Sequence, residues 1–150
     1  MKRFRVYVLI FAILLFSSLC YAQDGKELVV GAWKLISIEI LSFTGEVLGP
    51  DGWWGSNPTG LIIYDKSGYM SVQFMRDPKE IGGAQRYYAY FGTYDVNEKE
   101  GFIVHHIKGS LMMTEIGTDY SRRFKISGNR IMLTTERLKR LTFERVEKGK

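Results

Sequence analysis

The chain has 150 residues, 45% of them apolar and 25% charged, enough apolar material for one globular domain with its own core and too much for a disordered polymer. Its formal charge of +5 is concentrated at the start, where Lys2, Arg3 and Arg5 precede the apolar run Val6–Phe16, small residues reach to Ala22, and polar Gln23-Asp24 follow. That order predicts a secretory signal peptide over 1–22, leaving a domain over 23–150 that is secreted or periplasmic.

Cleavage near Ala22 removes three basic and no acidic residues, which takes the formal charge from +5 to +2. No nucleic-acid partner is therefore expected, because such a partner needs a clustered basic face on the mature domain. The apolar run is short for a bilayer span, so no stable membrane insertion is expected after cleavage. Cys20 is the only cysteine. A lipoprotein anchor there is disfavoured by bulky Leu19, which stands where such signals carry a small residue. The mature chain then has no thiol for a disulfide, a nucleophile or a zinc site.

In chain order, Gln23–Val30 reads as a lead-in with a possible helical turn. Gly31–Leu41 is a long strand whose alternation puts Trp33, Leu35, Ser37, Glu39 and Leu41 on one face. Gly49–Thr59 reads as a loop around Trp53-Trp54. Gly60–Arg76 is the clearest hairpin, with two strands flanking Asp65-Lys66-Ser67-Gly68, where Gly68 supplies positive φ. Pairing Tyr64 with Tyr69 sets Ile62 opposite Ser71 and Gly60 opposite Gln73, leaving Leu61, Ile63, Met70, Val72 and Phe74 on the other face. The pattern alone favours that second, apolar set as the inward one. Arg76–Gln85 is a loop. Strands follow at Arg86–Val96, Phe102–Lys108, Thr118–Ile126, Arg130–Thr135 and Leu138–Val146, with Gly109–Gly117 as a connection. About eight strands with short links and no helical period give an all-β fold, an antiparallel up-and-down barrel.

Several segments resemble the lipocalin-like domain family within the calycin group of small β-barrels: Gly31-x-Trp33, GLIIYDKSGYMSVQFMR at 60–76, YYAYFGTYDV at 87–96, HH at 105–106, GS at 109–110, RRF at 122–124 and LTT at 133–135. The resemblance spans about residues 28–146. It implies a barrel floor in which Arg140 or Arg145 on the last strand lies over Trp33, with Thr118-Asp119-Tyr120 as a further family-like triplet. It also favours the mixed hairpin face inside, with Tyr64, Tyr69, Ser71, Gln73 and Met75. A barrel of this family would carry a small hydrophobic or amphipathic ligand.

The chemistry-bearing residues are few. Adjacent His105 and His106 point to opposite faces of a strand and cannot both ligate one ion; solvation of Lys108 turns His105 inward. An outward Asp95 turns Tyr88, Tyr90, Gly92 and Tyr94 inward, either as packing or as cavity lining. Outward Asp119, Arg123 and Lys125 turn Tyr120 and Arg122 inward, where Arg122 needs a partner: Glu39, or the carboxylate or carbonyl of a ligand. The ligand-binding candidates are therefore Glu39, Tyr64, Ser71, Gln73, Tyr90, Tyr94, His105 and Arg122. Ser71 has no nucleophile-elbow setting, and phosphate-loop, dinucleotide and zinc patterns are missing, so no metal and no cofactor is expected. Ligand carriage is the first reading. An isomerase or cyclase using Tyr90, His105, Arg122 and Glu39 in the same cavity is the second, and an envelope protein with a filled interior the third.

Overall fold

The structure, a computed structural model, describes residues 25–77, 79 and 86–147. The expected signal peptide and Cys20 lie outside the described residues, as does most of the 76–85 loop. A short helix, α1 (Gly25–Val29), leads into nine strands: β1 (Gly31–Leu41), β2 (Val47–Pro50), β3 (Thr59–Tyr64), β4 (Tyr69–Met75), β5 (Tyr87–Asn97), β6 (Phe102–Ser110), β7 (Asp119–Ser127), β8 (Arg130–Thr135) and β9 (Lys139–Arg145). A single 3-10 turn, Met113–Glu115, lies between β6 and β7.

Every strand pairs antiparallel with its neighbour, and β1 closes the ring on β9. The barrel has eight strands, because β1 pairs with β3 through Gly31–Lys34 and with the short β2 through Glu39–Leu41 on the same edge. Closure leaves no free run of ladder donors and acceptors around the ring. The added strand β2 falls partly where a loop was expected. One end of the barrel, carrying α1 and the turns at 65–68, 98–101 and 128–129, is the floor. The other end carries the connections at 51–58, 111–118 and 136–138, with Asp77 and Arg86, and is the mouth.

Arg145 seals the floor. Its guanidinium stacks 4.0 Å from the Trp33 ring centroid and donates to the Val30 and Leu28 carbonyls at 2.7 and 2.8 Å, while Trp33 Nε1 donates to the Val29 carbonyl at 2.7 Å. Three carbonyls at the end of α1, which have no helical donor, are thus satisfied by two side chains of the barrel, and a cation sits at the helix's negative end. Arg140 takes another path, to Glu39. Thr118-Asp119-Tyr120 sits at the mouth and contributes nothing to the floor.

Two irregularities decide which side chains point inward. In the 60–76 hairpin the Asp65 amide bonds the Tyr69 carbonyl and the Gly68 amide bonds the Asp65 carbonyl, at 2.9 and 3.0 Å, with Gly68 at φ 88°. Gly68 is therefore an extra residue in the connection, a type I turn closed by a glycine bulge. Tyr64 pairs with Met70, and Ile62 with Val72, one place away from the expected register. The inward set becomes Ile62, Tyr64, Met70, Val72 and Phe74, half of each expected face. Ser71 and Gln73 point outward. In β1 the pairing skips from Leu35–Phe143 to Ser37–Thr142, so Ile36 bulges and the parity flips. Ile38 faces inward opposite Leu141, and Glu39 faces outward opposite Arg140.

A third bulge bends β6 past β5. Gly92 pairs with Ile107 and Phe91 with Gly109, leaving Lys108 unpaired. A Cβ on Gly92 would fall 1.9 Å from the His106 carbonyl oxygen, so only glycine permits this approach.

The 136–138 turn repeats the hairpin geometry with a less suitable residue. Leu138 takes φ 55°, its amide bonds the Thr135 carbonyl at 3.1 Å, and it is the only non-glycine at positive φ among the described residues. Left-handed backbone costs a residue with a Cβ about 1–2 kcal/mol. Leu138→Gly should accordingly raise the chemical-denaturation stability by about 1 kcal/mol, and a lowered midpoint would contradict that assignment.

Candidate functional site

From the floor to mid-barrel the interior is solid, with Trp33, Leu35, Ile62, Val72, Ile103, Ile131, Leu133 and Phe143 at 2% exposure or less. Above it lies a cavity of about 970 Å³ that opens at the mouth. Its depth is lined by Ile38, Phe74, Tyr88, Tyr120, Arg122 and Leu141, and its rim by Trp53, Trp54, Arg86, Met112, Glu115 and Arg137.

A polar relay runs through the interior from Tyr64, beside the floor turn at 65–68, toward Arg122 on the cavity wall. His105 is fully buried, with its Nε2 2.8 Å from the Tyr64 hydroxyl and its Nδ1 2.9 Å from the Tyr90 hydroxyl. Burial first, then the positive field of Arg122, holds the imidazole well below its ordinary pKa, so His105 is neutral. A neutral ring donates from one nitrogen and accepts at the other. Tyr64, itself 1% exposed, has no polar partner other than Nε2 among the described residues. Its O–H must donate there, since an orphaned buried hydroxyl costs about 1–3 kcal/mol. By this satisfaction argument the ring proton belongs on Nδ1, from which it is donated to the Tyr90 oxygen. Burial raises the pKa of both tyrosines, so both keep their protons. On its other side the Tyr90 oxygen also accepts from the Arg122 side chain, and its ring stands edge-on to Tyr120 at 6.0 Å.

Arg122 faces the cavity with its guanidinium 4.8 Å from the Tyr120 centroid. Glu39, its expected partner, is on the outside of the barrel, where Arg140 Nε donates to it at 2.9 Å. At the rim, Glu115 Oε2 accepts from Tyr88 at 2.8 Å and from Ser110 Oγ at 2.7 Å. Burial and that bond push the Tyr88 hydroxyl far above its usual pKa. An aromatic lane runs inward from Trp54 to Tyr88 at 6.4 Å and on to Tyr90 at 5.4 Å. Trp54 is packed against Phe74 as well, whereas Trp53 stays exposed beneath the Arg86 guanidinium.

The eight sequence candidates therefore separate. Arg122 lines the cavity, and Tyr90, His105 and Tyr64 stand in line behind it. Tyr94 is inward but lower, bonded to the Asp65 carbonyl at 3.0 Å near the floor. Glu39, Ser71 and Gln73 are on the outer surface, where Gln73 accepts from the Tyr87 hydroxyl. Tyr88 and Tyr120 had the inward parity that marks cavity lining. Trp54, Arg86 and Glu115 lie at loops and strand ends, where no periodicity points to them. Among the described residues no group of three His, Cys, Asp or Glu could hold a metal ion.

His106 faces outward, bonded through Nδ1 to Asp119 at 2.7 Å and through Nε2 to Asp95 at 3.1 Å.

Two outcomes follow from these bonds. Tyr64→Phe should cost about 1–3 kcal/mol in denaturant titration, by leaving Nε2 of His105 buried without a donor; no loss would remove the relay from the fold's support. The carboxylates of Asp119 and then Asp95 raise the His106 pKa in the folded state. A raised folded pKa adds stability that is fully present below the unfolded value of about 6.5 and lost as pH rises through the folded value. The stability difference between wild type and His106→Gln should therefore be larger at about pH 5.5 than at about pH 9, with the His105 contribution common to both. An equal difference at both would contradict the pairing.

A protein-family model described as a lipocalin-like domain matches residues 30–149. Searches of curated proteins and of solved structures return no match. With the match running through all nine strands of a closed antiparallel barrel, the chain belongs to the lipocalin-like domain family.

Proposed function

We propose that the protein is a secreted or periplasmic carrier that binds one small hydrophobic or amphipathic molecule in the mouth-end cavity. The observation that carries this reading is the cavity itself. At about 970 Å³ it suits a drug-sized ligand, and its wall is aromatic and apolar with a few fixed polar groups. Family membership supports small-ligand binding in general. Export rests on the basic, apolar and small-residue order of residues 1–22.

Carriage is favoured over turnover by the state of the one interior histidine. His105 is neutral but lies behind the cavity wall, and both ring nitrogens are engaged by tyrosines. A general base has to come within hydrogen-bond reach of the proton that it removes.

Native mass spectrometry of protein purified from its own envelope fraction should show a stoichiometric adduct that organic extraction releases, on a mature chain beginning at Gln23. Apo protein that also fails to bind the neutral fluorophore N-phenyl-1-naphthylamine would overturn carriage. Recovery of the uncleaved chain from the cytoplasm would overturn export.

A further inference from the structure

We propose that the carried molecule is an organic anion whose carboxylate docks on Arg122 at the inner wall of the cavity, an inference that rests on the carrier reading above. Arg122 is half-buried and faces the cavity, and among the described residues no carboxylate pairs with it. The carboxylates that border the same space are committed elsewhere or form no ion pair with Arg122. Asp51 is bonded to Lys139, Asp119 to His106, and Glu115 to Tyr88 and Ser110, while Glu136 stands exposed on the rim turn. A guanidinium withdrawn from water without a counter-ion is costly, and a ligand that brings the anion removes that cost.

A second observation points the same way. Arg86, at the mouth, lies over the Trp53 ring at 3.2 Å, and its Nη1 is buried with no hydrogen-bond acceptor among the described residues. It too borders the cavity. Arginine has donors only. Behind Arg122 the relay supplies one neutral acceptor, the Tyr90 hydroxyl oxygen, and no carboxylate, so the charge of the guanidinium stays unneutralised. The inner end is thus an array of N–H and O–H groups whose complement is an acceptor-only head with two coplanar oxygens, the shape that a guanidinium fork grips. Trp54, Phe74, Tyr88 and Leu141 define the rest of the ligand as an apolar chain or ring.

The test uses the full mature chain loaded with N-phenyl-1-naphthylamine and titrated with dodecanoate and, separately, dodecanol, which differ only in the head. Dodecanoate should displace the probe at least about tenfold more tightly, the least that a charge-assisted hydrogen bond supplies. Arg122→Met should abolish the preference while dodecanol binding persists, and Arg122→Lys should retain part of it. Should Arg122→Met not fold, Arg122→Gln takes its place. Equal displacement by both heads in wild type would overturn the anion site and leave carriage standing. A preference that survives loss of the Arg122 charge would overturn Arg122 as its anchor. Failure of the probe and both competitors to bind folded wild type would overturn carriage and the anion site together.

Discussion

The imidazole of His105, gripped from both sides by tyrosine hydroxyls, is the contact on which the polar interior of this barrel depends. A histidine in an apolar interior is tolerated only if it stays neutral and each nitrogen finds a partner of the right kind. Tyr64 and Tyr90 meet that need from β3 and β5. Satisfying the ring sets the row: Tyr64 gives to His105, His105 gives to Tyr90, and the Tyr90 oxygen accepts from Arg122 as well. Beside the row the lower barrel is filled by branched and aromatic side chains. Above it Tyr120 and Arg122 face open space. The polar row thus joins the floor end of the packed interior to the cavity wall, where it meets Arg122.

The two ends of the barrel use arginine in opposite ways. At the floor, Arg145 is consumed: its face covers Trp33 and its N–H groups satisfy carbonyls at the end of α1. That set of contacts ties the first strand, the last strand and the leading helix into one unit at the point where the ring closes. At the mouth, Arg122 and Arg86 rest on aromatic faces, and among the described residues neither is paired with a carboxylate. Stacking holds a guanidinium in place without neutralising it. The same residue type therefore acts as a structural plug at one end and as an unfilled receptor at the other, and the difference lies wholly in which acceptors are near.

The architecture was legible from pattern, and the inward residues were legible only where charge marked the opposite face. Asp119, Arg123 and Lys125 on alternate positions disclosed Tyr120 and Arg122, and Asp95 did the same for the β5 tyrosines. Ile103, His105 and Ile107 alternated cleanly up to the bulge at Lys108. In β1 the inward parity changes partway, from Trp33 and Leu35 to Ile38, and unbroken alternation cannot represent that change. Ile36, Ile38 and Ile40 look alike in sequence, so the bulge that turns Glu39 outward has no local signature. The hairpin failed for a related reason, since Gly68 serves equally in a two-residue turn or as a bulge and the two differ by one step of register. That single step expels Ser71 and Gln73 and brings in Tyr64. The rim residues Trp54, Arg86 and Glu115 come together only through long-range folding of three separate connections, which no local period encodes.

All of this rests on His105 being a neutral ring with its proton on Nδ1. The chain has two histidines, and His106, outward and held by carboxylates, serves as the internal reference in the same spectrum. Long-range ¹H–¹⁵N correlation NMR on histidine-labelled protein reads the charge and tautomer of each ring directly. One ring should remain neutral and Nδ1-protonated from about pH 8 down through the ordinary histidine value of about 6.5, while the other titrates above that value. A His105 ring that becomes imidazolium near pH 6.5, or that carries its proton on Nε2, would contradict the account.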